Sequence, residues 1–309
     1  MKIVFMGTPE FSVPCLERLV SDGEEVVGVF TQPDKPKGRG YEMSFSPVKE
    51  CALKHGIPVF QPKSMRDGEA LKIMQGLNPD LTVVVAYGKI LPKEILYLPK
   101  YNSINIHASL LPKYRGAAPI QWSVLNGEKQ TGVTSMLMNE GLDTGDMLLS
   151  EKIDITENMT AGELHDALSV MGAEVMSKTV EQVKANSLKP VKQDDSLSNY
   201  SPMLSKELCP TDFTKSAQEV HNHIRGLSPW PVATATLDGK KIKLHSSVIG
   251  SKTSWPAGTV VSADKVISVA CGDGVCVDIL SVQAEGKKRM SSKDFLLGHN
   301  IEKGSVMSK

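Results

Sequence analysis

The chain is predicted to fold as a doubly wound, Rossmann-like α/β domain followed by a smaller β-barrel. Three observations carry this. Up to about residue 110, short apolar runs alternate with amphipathic stretches of helical period, the order that produces a parallel sheet with helices on both faces. One of those runs, Leu81 to Ala86 (LTVVVA), is apolar almost throughout, as a central strand covered on both sides must be. Over the last hundred residues the alternation gives way to short strands with turns at Leu237-Asp238-Gly239-Lys240, Ala263-Asp264-Lys265 and Gly272-Asp273-Gly274.

In order, Lys2 to Met6 reads as a strand, and Gly7-Thr8-Pro9 turns it into a helix from about Phe11 to Ser21. A strand at Val26 to Phe30 is followed by residues 31–46, a long loop with two prolines and two glycines that presents Lys35, Lys37 and Arg39 with little local structure. Helices near Pro47 to His55 and Met65 to Gly76 flank a brief strand at Ile57 to Phe60. Strands follow at Leu81 to Ala86, Ser103 to His107, Gly132 to Met138 and Met147 to Ile155. A long helix from Thr160 to about Asn186 opens on Thr160-x-x-Glu163, a capping-box pattern. Residues 187–208 are polar, with two prolines and five serines. The expected division is therefore 1–188, a linker at 189–208, and 209–309, where a helix at Lys215 to Leu227 precedes the barrel strands.

With 40% hydrophobic and 23% charged residues, the composition is that of an ordinary soluble protein, and no run of about 18 apolar residues suggests a membrane span. The first apolar run is too short for a signal peptide. Five scattered cysteines with no ligand-type pairing point to a reduced, cytoplasmic protein without a metal site. His221 and His223 lack partners for a ligand cluster and read as surface or packing residues. A single Gly7 after the first strand, with no G-x-G-x-x-G, leaves no phosphate cradle for NAD. Net charge is zero, but residues 209–309 carry 13 Lys+Arg against 9 Asp+Glu, and residues 1–208 carry the compensating acidic excess. A solvated surface or a nucleic-acid-contacting appendage would each give that asymmetry.

The chemistry is expected around residues 101–119, YNSINIHASLLPKYRGAAP. In an extended Ser103 to His107 segment, Asn105 and His107 share one face while Ile104 and Ile106 pack on the other. Pro112 and Arg115-Gly116 break the chain next, so the carboxamide and the imidazole sit at a strand's carboxyl end, where doubly wound sheets bind ligands. An amide that donates to an oxyanion, beside an imidazole that moves a proton, suits reaction at a carbonyl. Asp143, in the glycine-punctuated Met138 to Asp146 segment, is the carboxylate expected to orient His107 or relay a proton.

Asn105-x-His107-x-Ser109-Leu110-Leu111-Pro112 and Gly141-Leu142-Asp143-Thr144-Gly145 resemble the folate-dependent formyltransferases. Met6-Gly7-Thr8-Pro9-Glu10-Phe11, Thr31-Gln32-Pro33-Asp34, Gly38-Arg39-Gly40 and Leu227-Ser228-Pro229-Trp230-Pro231 resemble, within them, the methionyl-tRNA formyltransferase family. The likeness runs over essentially the whole chain. It implies a formyltransferase domain, then a barrel like an oligonucleotide-binding fold. The implied reaction moves the formyl group of 10-formyltetrahydrofolate, a cosubstrate, onto the α-amine of initiator methionyl-tRNA for translation initiation, with no metal, no membrane and no obligate protein partner. It implies Asn105, His107 and Asp143 as catalytic. The folate slot falls at Ala86, Tyr87, Gly88 and Ile90, at Ser109, Leu110, Leu111 and Pro112, and at Asn139, Glu140, Gly141 and Leu142, largely through backbone groups. Arg39 is the implied selector of the initiator, with Lys35 and Lys37 beside it. Lys240, Lys241, Lys243, Lys287, Lys288 and Arg289 of the barrel are expected to meet phosphates, and Trp230, between prolines, is expected to be a packing anchor rather than a base-stacking platform. A formyltransferase for a small amine acceptor would keep the same three catalytic residues, but needs neither the barrel nor the Gly-Arg-Gly loop.

Overall fold

The computed structural model describes residues 1–37 and 42–309, so Arg39 lies outside the described residues. The described chain forms two compact units. One is made of 1–116, 132–153 and 165–200, the other of 117–131, 154–164 and 201–309.

The first unit is built on a seven-stranded sheet. Its strands are β1 (Lys2–Gly7), β2 (Glu25–Phe30), β5 (Val59–Phe60), β6 (Leu81–Val85), β7 (Ser103–His107), β9 (Gln130–Leu137) and β10 (Met147–Asp154), in the order β10-β9-β7-β6-β1-β2-β5. From β5 to β7 the neighbours run parallel, and β9 joins β7 antiparallel. Burial explains the apolar runs: Ile3, Val4, Phe5 and Met6 of β1 and every residue of β6 are buried, because helices cover both faces. Those helices are α1 (Val13–Ser21), α2 (Pro47–Lys54), α3 (Glu69–Leu77), the short α4 (Lys93–Leu96) and α6 (Ala161–Lys184). The capping box read at Thr160 is formed, with Glu163 N–H donating to Thr160 Oγ1 (3.2 Å) and Thr160 N–H donating to Glu163 Oε2 (2.8 Å).

The long loop after β2 is more ordered than its composition suggests. Lys35 and Lys37 lie on β3 (Lys35–Lys37), which pairs antiparallel with β4 (Glu42–Ser44), Pro36 opposite Met43. Its base is tied down by Asp34, whose carboxylate takes Lys49 Nζ (2.5 Å) and Gln61 Nε2 (2.8 Å). These contacts hold the Asp34 carboxyl below its ordinary value, chiefly through the Lys49 hydrogen bond. Two further short strands, β8 (Arg115–Gly116) and β11 (Tyr200–Ser201), make a separate ladder.

In the second unit, β12 (Ala233–Leu237), β13 (Lys240–Lys252), β14 (Val260–Ala263), β15 (Ile267–Ala270), β16 (Val275–Ala284), β17 (Met290–Ser291) and β18 (Met307–Ser308) form an antiparallel sheet curled into a half-barrel. Asp238 and Gly239, both at positive φ (50° and 71°), make the two-residue turn from β12 to β13. α7 (Ala217–Gly226) opens on a complete capping box, Ser216 with Glu219. It packs Val220 and Ile224 into the barrel core, α5 (Pro119–Leu125) adds Trp122 and Leu125, and α8 (Ser292–Gly298) adds Phe295. The 154–164 segment is held by Arg225, whose buried guanidinium donates to Thr156 O (3.2 Å) and Met159 O (2.9 Å). His221 is likewise a packing residue, bonded to Ser247 Oγ (2.9 Å) and Glu157 O (3.0 Å).

Candidate active site

Asn105 and His107 occupy the carboxyl end of β7. Asn105 pairs with Val84 of parallel β6 on one side and with Met136 of β9 on the other, and His107 pairs with Thr134. Ile104 and Ile106 are buried on the opposite face, as the two-residue period requires. The chain then turns back on itself. Ser109 Oγ donates to Lys113 O (2.6 Å), Thr134 Oγ1 donates to Ser109 O (2.8 Å), and Leu111 N–H donates to Thr134 Oγ1 (3.2 Å). The Leu111–Pro112 peptide is cis. This turn returns the Tyr114 carbonyl to His107, 2.9 Å from Nε2.

A carbonyl can only accept, so Nε2 carries the proton in that contact. Nδ1 faces Asp143, 3.7 Å from Oδ2. The same Oδ2 accepts the Gly116 backbone N–H at 2.9 Å, and Oδ1 lies 3.5 Å from Asn105 Nδ2. The three catalytic candidates therefore converge on one point. Only 6% of the His107 side chain and 12% of the Asp143 side chain are exposed, so little water screens their interaction.

Asp143 reaches this point from a left-handed backbone conformation (φ 53°). Gln193 fixes it. The Gln193 Nε2 amide donates to both Asp143 O (2.8 Å) and Gly145 O (2.7 Å), while its Oε1 accepts from Arg115 Nε (3.0 Å) and Nη2 (2.8 Å). Arg115 Nη2 also meets Asp195 Oδ1 at 2.7 Å. Sequence reasoning misses Gln193. It lies in a polar stretch without period or motif, 50 residues beyond the carboxylate it positions. Gly145 is forced, since a Cβ there would stand 1.6 Å from Leu137 O.

The other expected contact residues divide by exposure. Tyr87 is buried, donating its hydroxyl to Met65 Sδ (3.2 Å), and burial pushes its phenol up. Its backbone carbonyl faces the strand ends, accepting from Thr8 Oγ1 (3.1 Å) and Gln32 Nε2 (3.1 Å), and Gln32 also reaches Gly88 O (3.1 Å). Ala86 (φ 47°) and Gly88 (φ 78°) are both left-handed. Ile90 and Leu142 are exposed apolar side chains, and Glu140 and Gly141 are exposed beside them. Asn139 Oδ1 folds its own loop, accepting from Gly141 N–H (3.0 Å) and Thr144 Oγ1 (2.8 Å). Leu110, Leu111 and Pro112 lie in the turn after β7.

Among the expected phosphate contacts, Lys240, Lys241, Lys243, Lys287, Lys288 and Arg289 are all exposed, as is Lys35. Lys243 pairs with Gln283 across β13 and β16, and Arg289 Nε donates to Ser281 Oγ (2.9 Å). Trp230 is not the packing anchor its flanking prolines suggest, since 59% of it is exposed. Among the described residues, one group of three potential metal ligands occurs, Glu17 on α1, Cys51 on the facing α2 and His55 just after α2.

Residues 1–180 match the family model Formyl transferase, and residues 203–300 match Formyl transferase, C-terminal domain. The chain is 51% identical to the methionyl-tRNA formyltransferase of Alkaliphilus oremlandii, over 100% of both chains. It is 50% identical to that of Clostridium novyi, over 99% of this chain and 100% of the relative. Among solved structures, an N-formyltransferase of Helicobacter canadensis superposes with a TM-score of 0.70 over 92% of this chain and 99% of the other. At 20% identity that likeness speaks to the fold.

Proposed function

The chain belongs to the methionyl-tRNA formyltransferase family, and from that premise we propose that Asn105, His107 and Asp143 carry its reaction. The enzyme transfers the formyl group of 10-formyltetrahydrofolate to the α-amino group of initiator methionyl-tRNA. The neutral amine attacks the formyl carbon and a tetrahedral intermediate forms. Its oxyanion is met by the Asn105 Nδ2–H and, once Nδ1 has taken up the amine proton, by the Nδ1–H of His107, whose Nε2–H stays on the Tyr114 carbonyl. Nδ1 receives the amine proton, and Asp143, 3.7 Å away, stabilises the imidazolium that results. Collapse breaks the bond from carbon to folate N10, which takes up a proton and leaves as tetrahydrofolate. One C–N bond forms, one breaks, and the proton lost by the amine ends on the folate nitrogen.

The observation that carries this assignment is the approach of Asp143 to both partners, 3.5 Å from Asn105 and 3.7 Å from His107. Folate is proposed to lie against the backbone of Ala86 to Gly88, the Ser109 to Pro112 turn and the Asn139 to Leu142 loop. Exposed Ile90 and Leu142 offer apolar contact there. The role proposed for Arg39 in choosing the initiator rests on the Gly38-Arg39-Gly40 match. We place the enzyme in the cytoplasm, in keeping with its five free, buried cysteines. No described helix is long and apolar enough to cross a membrane.

The test is formyl transfer from 10-formyltetrahydrofolate to charged initiator and elongator Met-tRNA in parallel, with Arg39→Ala alongside. A strong preference for the initiator that weakens in the variant supports the assignment. Equal formylation of the two tRNAs by the unmodified enzyme removes the selective role from Arg39.

A further inference from the structure

Of the three tryptophans, two have partners: Trp122 Nε1 donates to Pro202 O at 2.8 Å, and Lys303 Nζ lies 5.6 Å from the Trp255 ring centroid. Trp230 has neither a hydrogen bond nor a ring contact among the described residues, and 59% of it is exposed. The backbone beneath it is nevertheless fixed. Ser228 O accepts the Gly162 N–H at 3.0 Å, and Val232 N–H donates to Leu227 O at 2.9 Å, closing the turn on both sides of Pro229-Trp230-Pro231. A large aromatic ring is thus held out to solvent on a fixed turn.

The chain that follows it leads into a basic strand pair. Pro231 O lies 3.9 Å from Cys209 Sγ, and Cys209 O accepts the Thr234 N–H at the start of β12 (2.7 Å). Cys209 lies within electrostatic reach of Lys206, Lys241 and Lys243. Lys241 and Lys243, both exposed, project from β13 opposite Thr236 and Thr234. An exposed aromatic ring on a unit that also exposes lysines supplies both parts of a single-stranded nucleic-acid site, a face to stack under a base and cations for the phosphates.

Resting on the tRNA-formylating function above, we propose that Trp230 is a stacking platform for an unpaired base at the 3′ end of the acceptor tRNA, with Lys206, Lys241 and Lys243 engaging the adjoining phosphates. Charge complementarity selects a polyanion over an apolar partner. The indole offers one N–H donor against two broad π faces, which suits stacking more than base-edge readout. Of the unpaired segments of a tRNA, the 3′ end is the one that carries the methionine and must be held at the enzyme.

Base–aromatic stacking contributes about 1–3 kcal/mol per base, so Trp230→Ala should raise the KM for initiator Met-tRNA by about 5- to 150-fold. Trp230→Phe, which keeps a ring, should restore most of that loss. The kcat at saturating tRNA and the KM for the formyl donor should stay within about threefold of the parent in both variants. Fluorescence gives an independent readout. Deacylated initiator tRNA should quench the parent more than it quenches Trp230→Phe, and the difference should vanish with a tRNA trimmed of its unpaired 3′ nucleotides. An unchanged KM in Trp230→Ala, or equal quenching by intact and trimmed tRNA, overturns the proposal while leaving the tRNA-formylating function standing. Absence of Met-tRNA formylation by the parent enzyme overturns both.

Discussion

Replacing Asp143 with Asn keeps the size of the side chain and an acceptor for the Gly116 amide, and removes only the charge. Asp143 Oδ2 stands 3.7 Å from His107 Nδ1. Two unit charges at that separation attract by about 4.5 kcal/mol at an effective dielectric of about 20, and by about 1.1 kcal/mol in bulk water. With only 6% and 12% of the two side chains exposed, the pair belongs in the upper part of that range. That attraction acts on an imidazolium, which the proposed mechanism forms only as the amine gives up its proton. The cost therefore falls on the transition state, and kcat should drop by about 10²–10³-fold at 1.36 kcal/mol per decade. The KM values for both substrates should move less than about threefold, because neither ground state needs the charge. Single-turnover formylation of radiolabelled initiator Met-tRNA at saturating enzyme and donor reads the chemical step directly. A folded Asp143→Asn enzyme within about threefold of the parent rate, or one whose loss appears wholly in KM, refutes the assignment of Asp143.

The loop that carries Asp143 offers a second test. A Cβ on Gly145 would meet Leu137 O at 1.6 Å, so Gly145→Ala must displace backbone; kcat should fall by at least about tenfold, while the melting temperature reports any wider damage. For the barrel, a Lys241→Ala/Lys243→Ala double variant should flatten the dependence of log KM for tRNA on log salt, by about 0.7–0.9 for each phosphate that a lysine no longer neutralises. An unchanged slope would take those lysines off the RNA surface. Stability should also depend on pH. Burial holds the imidazoles of His221, His223 and His245 below their ordinary value of 6.5. The unfolded chain therefore binds protons that the folded chain refuses, and the stabilising contribution, present above about pH 6.5, is lost as the pH falls from that value through the lower folded-state values. Thermal unfolding at pH 7.5 and 5.5 should show the decline, and His245→Gln should make it shallower.

Much of the chemistry is legible in the sequence because it is local. A two-residue period across Ser103 to His107 puts Asn105 and His107 on one face whatever surrounds them, and the strand bounds agree with that reading. The all-apolar β6 and the turn at Asp238-Gly239 are readable for the same reason, since each is settled by a few consecutive residues. Features settled at long range are not. The loop after β2 has the composition of an irregular segment, yet pairing of Pro36 with Met43 makes a ribbon of it. At Trp230, hydrophobicity suggests burial, but the turn held by Gly162 and Val232 leaves the ring outside any core. Hydrophobicity states what a side chain would gain by burial, and only the tertiary structure states whether a core is there to receive it.

The carboxylate proposed for catalysis, Asp143, shows where this limit matters most. The glycines around Asp143 mark a turn, but a turn has many orientations, and only one brings Oδ2 to both the Gly116 amide and His107. That choice is made by Gln193, which holds two carbonyls of the loop and is itself held by Arg115, one residue before the amide that Asp143 accepts. The network is closed: the segment following His107 fixes Gln193, Gln193 fixes the loop, and the loop returns its carboxylate to that segment. A neutral amide suits this position because one planar group supplies two donors to the carbonyls and an acceptor to the guanidinium. A glutamate there would pair with Arg115 and leave the two loop carbonyls without their donor. That Asp143 is expected to face His107 is thus readable from sequence, whereas the amide that aims it has no local mark because its contacts are made across the fold.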